Sequence, residues 1–526
     1  MKKLTNNATS SFIGNVFLFL FCAVILVLSL RGIYGNPTEK ELNHNFWKEN
    51  GPLELSPERG RYTLLYSLAE NHTFAFSPEL AKFASPDVGY IQNHYASLFA
   101  PAVSFIALPG YLIGKQFGLA QVGSFAVIAL FALINVFLLR SIAIRLGAHP
   151  LAAIISSIAF LFGSPAFTYA TTLYQHHIST FLILASVYLL IRFNSFVSLA
   201  VIWMFCAFSL AVDYPNFFMM LPIGIFALGK TILFTKHENK IVLRIPLMRL
   251  LTIVSVIIPL SFFFWFNQMS YGNPLQLSGG INRVISVKAD GKPLFEEDIK
   301  KAQKRTTEES YEAQTSVLQF FWTRNMINGF YSHFISPDRG MLFFTPIMLL
   351  GLWGVVIALK KKQSYVALLC AIMGFNIVLY SLWGDPYGGW AFGSRYLIPT
   401  YAILSVFLAI ALTYLKKYNL FLLLFFALFS YSVAVNTLGA VTSSRNPPQV
   451  EILDLEKQSG KEEKFTYDRN LDYLNKNQSK SFIFQTYVKN YLSAWEYYFN
   501  IVVFIVMITS LLLVLLKAKK EDHYAV

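Results

Sequence analysis

Apolar runs of about twenty residues recur from one end of this chain to the other. Each is long enough to cross about 30 Å of hydrocarbon as a helix. They fall at roughly 12–30, 121–139, 149–169, 177–191, 196–212, 215–234, 250–268, 340–358, 364–383, 395–414, 419–440 and 498–516. The chain is therefore expected to be an all-α polytopic membrane protein with about twelve transmembrane helices. Charged residues make up 14% of the 526, against about 25% in soluble proteins, which excludes a soluble globular enzyme and a disordered chain. Cys22, Cys206 and Cys370 all lie inside apolar runs, so neither a disulfide framework nor a thiolate metal site is expected.

The net charge is +14. If Lys2 and Lys3 are cytoplasmic, the alternating segments on the same side carry Arg140, Arg145, Arg192, Lys230, Lys236, Lys240, Arg244, Arg249, Lys360 to Lys362, Lys416, Lys417, Lys517, Lys519 and Lys520. Only Glu238, Glu521 and Asp522 oppose them. Nearly the whole excess is thus on one side, as the positive-inside rule requires, and no nucleic-acid partner is needed to explain it. Both termini are expected in the cytoplasm of a plasma or inner membrane. Residues 101–118 are apolar but short, and contain two prolines and Lys115. A span there would invert everything after it, so the segment is expected to be an interfacial helix or a re-entrant one. The first run is longer than a signal peptide's core and no small-residue cleavage site follows it, so it is expected to stay as a span.

Three segments on the opposite side are long: 32–120, 269–339 and 441–497. This divides the chain into a membrane module over 1–440, a third loop over 441–497, and a last helix with a basic tail over 498–526. Residues 288–314 read as an exposed charged helix after a Gly-Lys-Pro turn. No internal symmetry of the inverted-repeat kind is visible, which disfavours a carrier; a transporter or flippase of a lipid-linked saccharide is the alternative. Loops held by a rigid base are where chemistry usually resides.

The first long loop contains Ser56-Pro57-Glu58-Arg59-Gly60-Arg61-Tyr62, then Ser85-Pro86-Asp87, then Gln92-Asn93-His94-Tyr95. A carboxylate at a membrane interface can serve as a general base, because partial burial raises its pKa toward neutrality. Glu58, Glu70 and Asp87 qualify, and a helix cap or surface ion pair is the plainer role for each. Tyr174-Gln175-His176-His177 and Asp213-Tyr214-Pro215 stand at outer span boundaries, where polar groups are costly unless paired or wet. Ser336-Pro337-Asp338-Arg339-Gly340 and Trp383-Gly384-Asp385-Pro386-Tyr387-Gly388-Gly389-Trp390-Ala391-Phe392-Gly393-Ser394-Arg395-Tyr396 each put an arginine at the outer face, against the charge trend. Arg339 and Arg395 need partners there. Asp338 and Asp385 could supply them; the functional alternative is bidentate binding of a phosphate. Trp390 and Tyr396 could stack on sugars or anchor at headgroups.

Taken together these segments resemble the GT-C superfamily of integral-membrane glycosyltransferases, above all bacterial relatives of the protein O-mannosyltransferases and of the lipid A aminoarabinose transferase. Glu58-Arg59-Gly60-Arg61-Tyr62 corresponds to an acidic pair followed by Arg-Tyr, and Pro101 through Phe117-Gly118 to a proline-containing interfacial helix. Glu58 stands where those enzymes carry Asp. Arg59 replaces their second acid, and His176 and His177 occupy the region of a further acid. The resemblance implies transfer of a hexose or pentose from a polyprenyl-phosphate donor to a lipid, glycan or protein acceptor on the extracytoplasmic face, by single displacement with inversion. Glu58 or Asp87 would be the base. Arg61, Tyr62, His94, Tyr95, His176, His177, Asp338, Arg339, Asp385, Trp390, Arg395 and Tyr396 would bind substrate or lipid phosphate. The superfamily admits a divalent cation, and no ligand cluster in this sequence demands one.

Overall fold

Apolar side chains without helix breakers propagate helices, and the proline and glycine positions decide where these end. The computed structural model describes residues 2–237, 240–244, 246–295, 326–460 and 462–519. Each of the twelve apolar runs falls on a helix or a stacked series of helical pieces. Among the described residues, six segments are long and apolar enough to cross a membrane: Phe12–Ser29, Ala120–Arg145, Leu247–Tyr271, Arg395–Leu415, Asn419–Val441 and Ala494–Ala518. The other runs make shorter helices, including His176–Arg192, Phe196–Val212, Asn216–Thr231 and Val366–Ser381. Run 149–169 is split by Gly163-Ser164-Pro165 into Pro150–Phe162 and Ala166–Ala170. Run 340–358 is broken at Thr345-Pro346, where a 3₁₀ turn precedes Gly351–Lys360. These breaks lie toward the face bearing the long loops. They leave irregular backbone buried in protein, the one setting in which a membrane protein tolerates it.

Several of the basic residues assigned to one side sit at helix ends that contact one another. Lys230 Nζ donates to the carbonyls of Leu190 and Phe193, and Arg249 to that of Lys230. Lys416 reaches the carbonyl of Lys519 (2.9 Å), and Lys361 lies over the Tyr414 ring. Each contact joins ends of different helices that the charge pattern had placed together.

Residues 101–118 contain the helix Ala102–Lys115, with Pro109 inside it. It folds back along the first half of Ala120–Arg145. The approach is closest at Gly110 and Gly114 against Gly123, where a Cβ on Gly110 would stand 2.3 Å from the Gly123 carbonyl oxygen.

A small antiparallel sheet caps the same face. Strands β1 (Val88–Ile91) and β2 (His94–Ser97) form a hairpin. A second hairpin, β3 (Leu233–His237) with β4 (Lys240–Arg244), stands apart. Strands β5 (Asn282–Val287) and β6 (Pro293–Phe295) complete the first sheet in the order β2-β1-β5-β6. The charged helix expected over 288–314 is thus not formed at its start, where Gly291 makes the turn between β5 and β6 with φ +78°. The rest of that segment, from 296, lies outside the described residues. The third loop contributes the helices Gln449–Ser459 and Asp468–Asn475.

There are two main hydrophobic cores. One fills the helix bundle, and the other packs the first long loop, from Leu42 to Ala107, against helix ends such as that bearing Phe266 and against β5 through Val284. Tyr169 and Tyr174 belong to the first, Tyr62 and Leu173 to the second. Polar side chains singled out in the sequence converge along this seam.

Candidate active site

The Ser56–Tyr66 helix begins with Pro57 in its first turn and Glu58 at the third position, where a carboxylate is favoured by the unpaired amides and the helix dipole. Glu58 Oε2 accepts the backbone N–H of Glu54 (3.0 Å) and Leu55 (3.2 Å). The residue is fully buried, and its Oε1 has no hydrogen-bond partner. Burial raises its pKa to about 7; the Glu54 carboxylate pushes the same way, while the Arg31 guanidinium and the two amides oppose it. Half of this carboxylate caps a helix, and the other half is an unspent acceptor.

One turn on, Arg61 is buried between the Phe99 ring (4.4 Å) and the Tyr174 ring (5.5 Å). Its Nη2 donates to Gln175 Oε1 (2.7 Å), and Gln175 Nε2 donates to Asp213 Oδ2 (2.8 Å). Arg395 also lies over Tyr174, at 4.9 Å, and over Tyr396 at 5.4 Å. Its Nη2 donates to the Gly388 carbonyl (2.8 Å), whereas Nε and Nη1 find no acceptor at hydrogen-bonding geometry. His176 stacks on Tyr174 (5.6 Å, 13°) and meets Tyr169 and Tyr396 edge-on. The His176 Nε2 and the Tyr174 hydroxyl are buried without partners. Tyr396 in turn stacks on Tyr380 at 4.3 Å.

Two guanidiniums thus share one phenol ring, and among the described residues neither forms an ion pair with a carboxylate. Buried cations without a counter-ion are unfavourable unless something anionic completes them. Glu58 lies near enough to act electrostatically on the hydroxyls of Tyr169 and Tyr174, which puts it at the edge of this cage.

Other expected residues are placed differently. Arg339 is fully buried, and every nitrogen of its guanidinium is spent. Nε donates to the Tyr387 carbonyl (3.0 Å), Nη1 to that of Asp338 (2.7 Å), and Nη2 to those of Gly389 (2.9 Å) and Asn446 (2.8 Å). It braces loops, with four of its five N–H donors taken by backbone carbonyls. The expected carboxylate partnerships of Asp338 and Asp385 with the arginines are also not formed. Arg339 takes the Asp338 backbone instead, and Asp385 accepts the amides of Gly388 (3.2 Å) and Gly389 (2.6 Å). Gly388 and Gly389 are both left-handed, φ +71° and +63°, which turns their carbonyls toward Arg395 and Arg339. Trp390 donates to Glu451 Oε2 (2.6 Å) and carries Arg445 and Arg469 on its ring, so it holds the third loop.

His177 Nε2 meets the Ala166 carbonyl (2.7 Å), and its Nδ1 is buried without a partner. His94 meets the Ser270 carbonyl (3.0 Å) and Tyr95 donates to that of Gly291 (2.9 Å), both in the small sheet. Tyr62 packs among Tyr66 and Tyr111. Asp87 has both oxygens engaged, Oδ2 by Ser56 Oγ (2.5 Å) and Oδ1 by Arg283 Nη2 (2.7 Å). Glu70 binds Tyr111 and Lys115. Among the described residues, no three His, Cys, Asp or Glu side chains gather as metal ligands.

The sequence reading passed over Arg31, Glu54, Tyr169 and Lys480. Arg31 carried a usable signal, because it stands at the outer end of the first span, against the same charge trend that drew attention to Arg339 and Arg395.

Arg339→Met is expected to lower the thermal midpoint of the detergent-solubilised protein by several degrees, since it orphans four carbonyls around a buried site. An unchanged midpoint would contradict the bracing role.

The fold and this cage together define a multi-pass helical membrane protein with a buried, cationic, aromatic-walled site on the face that carries its long loops. No family model and no curated protein matches the chain. Among solved structures it is similar to ArnT from Cupriavidus metallidurans in the apo state, at 12% identity and a TM-score of 0.46, over 97% of this chain and 76% of that one. Similarity to ArnT bound to undecaprenyl phosphate has 11% identity and a TM-score of 0.43, over 95% and 75%. The Archaeoglobus fulgidus oligosaccharyltransferase is similar at 12% identity and a TM-score of 0.38; 98% of this chain covers 57% of that one.

Proposed function

We propose that this chain is a GT-C-type membrane glycosyltransferase that moves a sugar from a polyprenyl-phosphate donor to an acceptor hydroxyl on the extracytoplasmic face. The observation that carries the reading is the juxtaposition of an unspent, buried carboxylate oxygen with two guanidiniums that make no direct ion pair among the described residues, Asp213 reaching Arg61 only through Gln175. Glu58 Oε1 takes the acceptor hydroxyl proton. The acceptor oxygen forms the new bond to the anomeric carbon from the face opposite the phosphate, with inversion. The old bond to the phosphate oxygen breaks, and its electron pair stays on the polyprenyl phosphate. Arg395, through Nε and Nη1, which bind no carbonyl or carboxylate and have the Tyr396 hydroxyl beside them, receives that growing charge, and Arg61 adds to the local potential. His176, Tyr174 and Tyr396 form the wall against which the sugar lies. Both termini lie in the cytoplasm of the plasma or inner membrane in this reading, with the acceptor approaching from the opposite side.

Asp87 is assigned a structural role, since Ser56 and Arg283 already hold both of its oxygens. Asp87→Asn is expected to keep transfer within about threefold of wild type, and to cost at most about 1 kcal/mol because its partner Arg283 is exposed. Loss of transfer with normal folding would return Asp87 to candidacy as the base.

The test of the function uses purified protein in lipid vesicles and a panel of polyprenyl-phosphate hexoses and pentoses labelled in the sugar. Release or transfer of labelled sugar that depends on the protein supports the enzyme. Movement of intact donor across the bilayer without cleavage sinks it in favour of a carrier.

A further inference from the structure

Four residues before Glu58 lies a second buried carboxylate with a different environment. Glu54 Oε2 accepts Arg31 Nη1 (2.6 Å), the Ser444 amide (2.7 Å) and Ser444 Oγ (3.1 Å). Lys480 Nζ stands 3.9 Å from Oε1 and donates to the carbonyls of Asn50 (2.7 Å) and Gly51 (3.0 Å). Arg31 is anchored further by the Gly439 carbonyl (2.7 Å). The backbone amide of Glu54 is one of the two that grip Glu58 Oε2. The clamp on the Glu54 side chain therefore fixes the peptide that aims the Glu58 carboxylate.

We propose that Glu54, held by Arg31 and Lys480, is a positioning residue for Glu58: it orients the carboxylate and keeps a standing negative charge beside it. This rests on Glu58 being the base of the proposed transfer. The charged and titratable groups around Glu58 are Arg31 at the end of the first span, Glu54 and Arg59 on its own segment, Tyr169 and Tyr174 from the 166–175 turn, and Lys480 from the third loop. Glu54 favours the protonated form of Glu58 and the two cations Arg31 and Lys480 oppose it, so their removal has opposite signs.

The experiment records transfer against pH for wild type, Glu58→Gln, Glu54→Gln, Glu54→Asp and Lys480→Met, with a labelled polyprenyl-phosphate sugar as donor. Glu54→Gln is expected to move the acidic limb down by about one pH unit and to lower the maximal rate about tenfold. Glu54→Asp keeps the charge and restores the limb. Lys480→Met is expected to move the limb upward. Loss of fold lowers the amount of active protein without shifting a limb in opposite directions, so Lys480→Met decides the matter even where Glu54→Gln is poorly produced. A limb that stays fixed in both, or moves the same way in both, overturns the positioning role alone if Glu58→Gln is inactive. Full transfer by Glu58→Gln overturns the base assignment itself, and this role with it.

Discussion

Glu58→Gln should abolish sugar transfer, by a factor of about 10² to 10⁴, the range supplied by a positioned general base. The amide is nearly isosteric, and its carbonyl oxygen can keep the cap on the amides of Glu54 and Leu55. It cannot take a proton. Binding of donor should therefore persist while turnover is lost, so that kcat falls and KM changes little. The wild-type rate should rise with pH through about 7 and level off above it, because the buried carboxyl is protonated, and useless as a base, on the acid side. The same burial has a sign for stability. A carboxyl whose pKa is raised on folding, from 4.5 to about 7, supports the folded state fully below 4.5 and loses that support as pH rises through 7. The penalty at alkaline pH is on the order of 3 kcal/mol. Glu58→Gln should thus be as stable as wild type or more so at pH 8, while inactive. A variant that is inactive because it is unfolded would break this pattern, and unimpaired transfer would refute the assignment.

Arg395→Met should lower kcat by about 10² to 10³, the cost of removing one donor aimed at developing charge. It should also weaken inhibition by free polyprenyl phosphate, the leaving group of the proposed reaction. Arg395→Lys is expected to recover only part of either. Lysine offers a point charge where the guanidinium offers a planar fork, and it forfeits the packing on Tyr174 and Tyr396. Polyprenyl phosphate that inhibits Arg395→Met as strongly as wild type would move the phosphate site elsewhere in the cage.

How far the sequence could be read depends on the range of the interaction concerned. Helix positions follow from composition within twenty-residue windows, and each apolar run falls on helical segments. Glu58 was legible because its segment is local, an acid in the first turn of a helix after Ser-Pro. The division of labour between Arg339 and Arg395 was not, since it depends on which carbonyls reach each guanidinium, and one of those that hold Arg339 is 107 residues away. Neighbouring Asp residues looked like natural partners, but the fold uses Asp385 for turn amides and leaves Asp338 Oδ1 buried without a partner. Glu54 was invisible for the same reason, because its amide partner Ser444 lies 390 residues further along the chain. The short helices were over-extended in the sequence reading where a Gly-Ser-Pro or Thr-Pro step breaks an apolar run without interrupting its hydropathy.

The clamp around Arg31 also sets an order of events during biosynthesis. Arg31 and Glu54 leave the ribosome well before Gly439, Ser444 and Lys480, which complete their shell: Gly439 follows Arg31 by 408 residues, and Ser444 follows Glu54 by 390. Until that later segment has been made, Arg31 and Glu54 lack most of their partners and the peptide that aims Glu58 is unbraced. A chain stopped before that segment would therefore insert its earlier helices with the Glu58 peptide unbraced, and under the proposed reaction it would be silent.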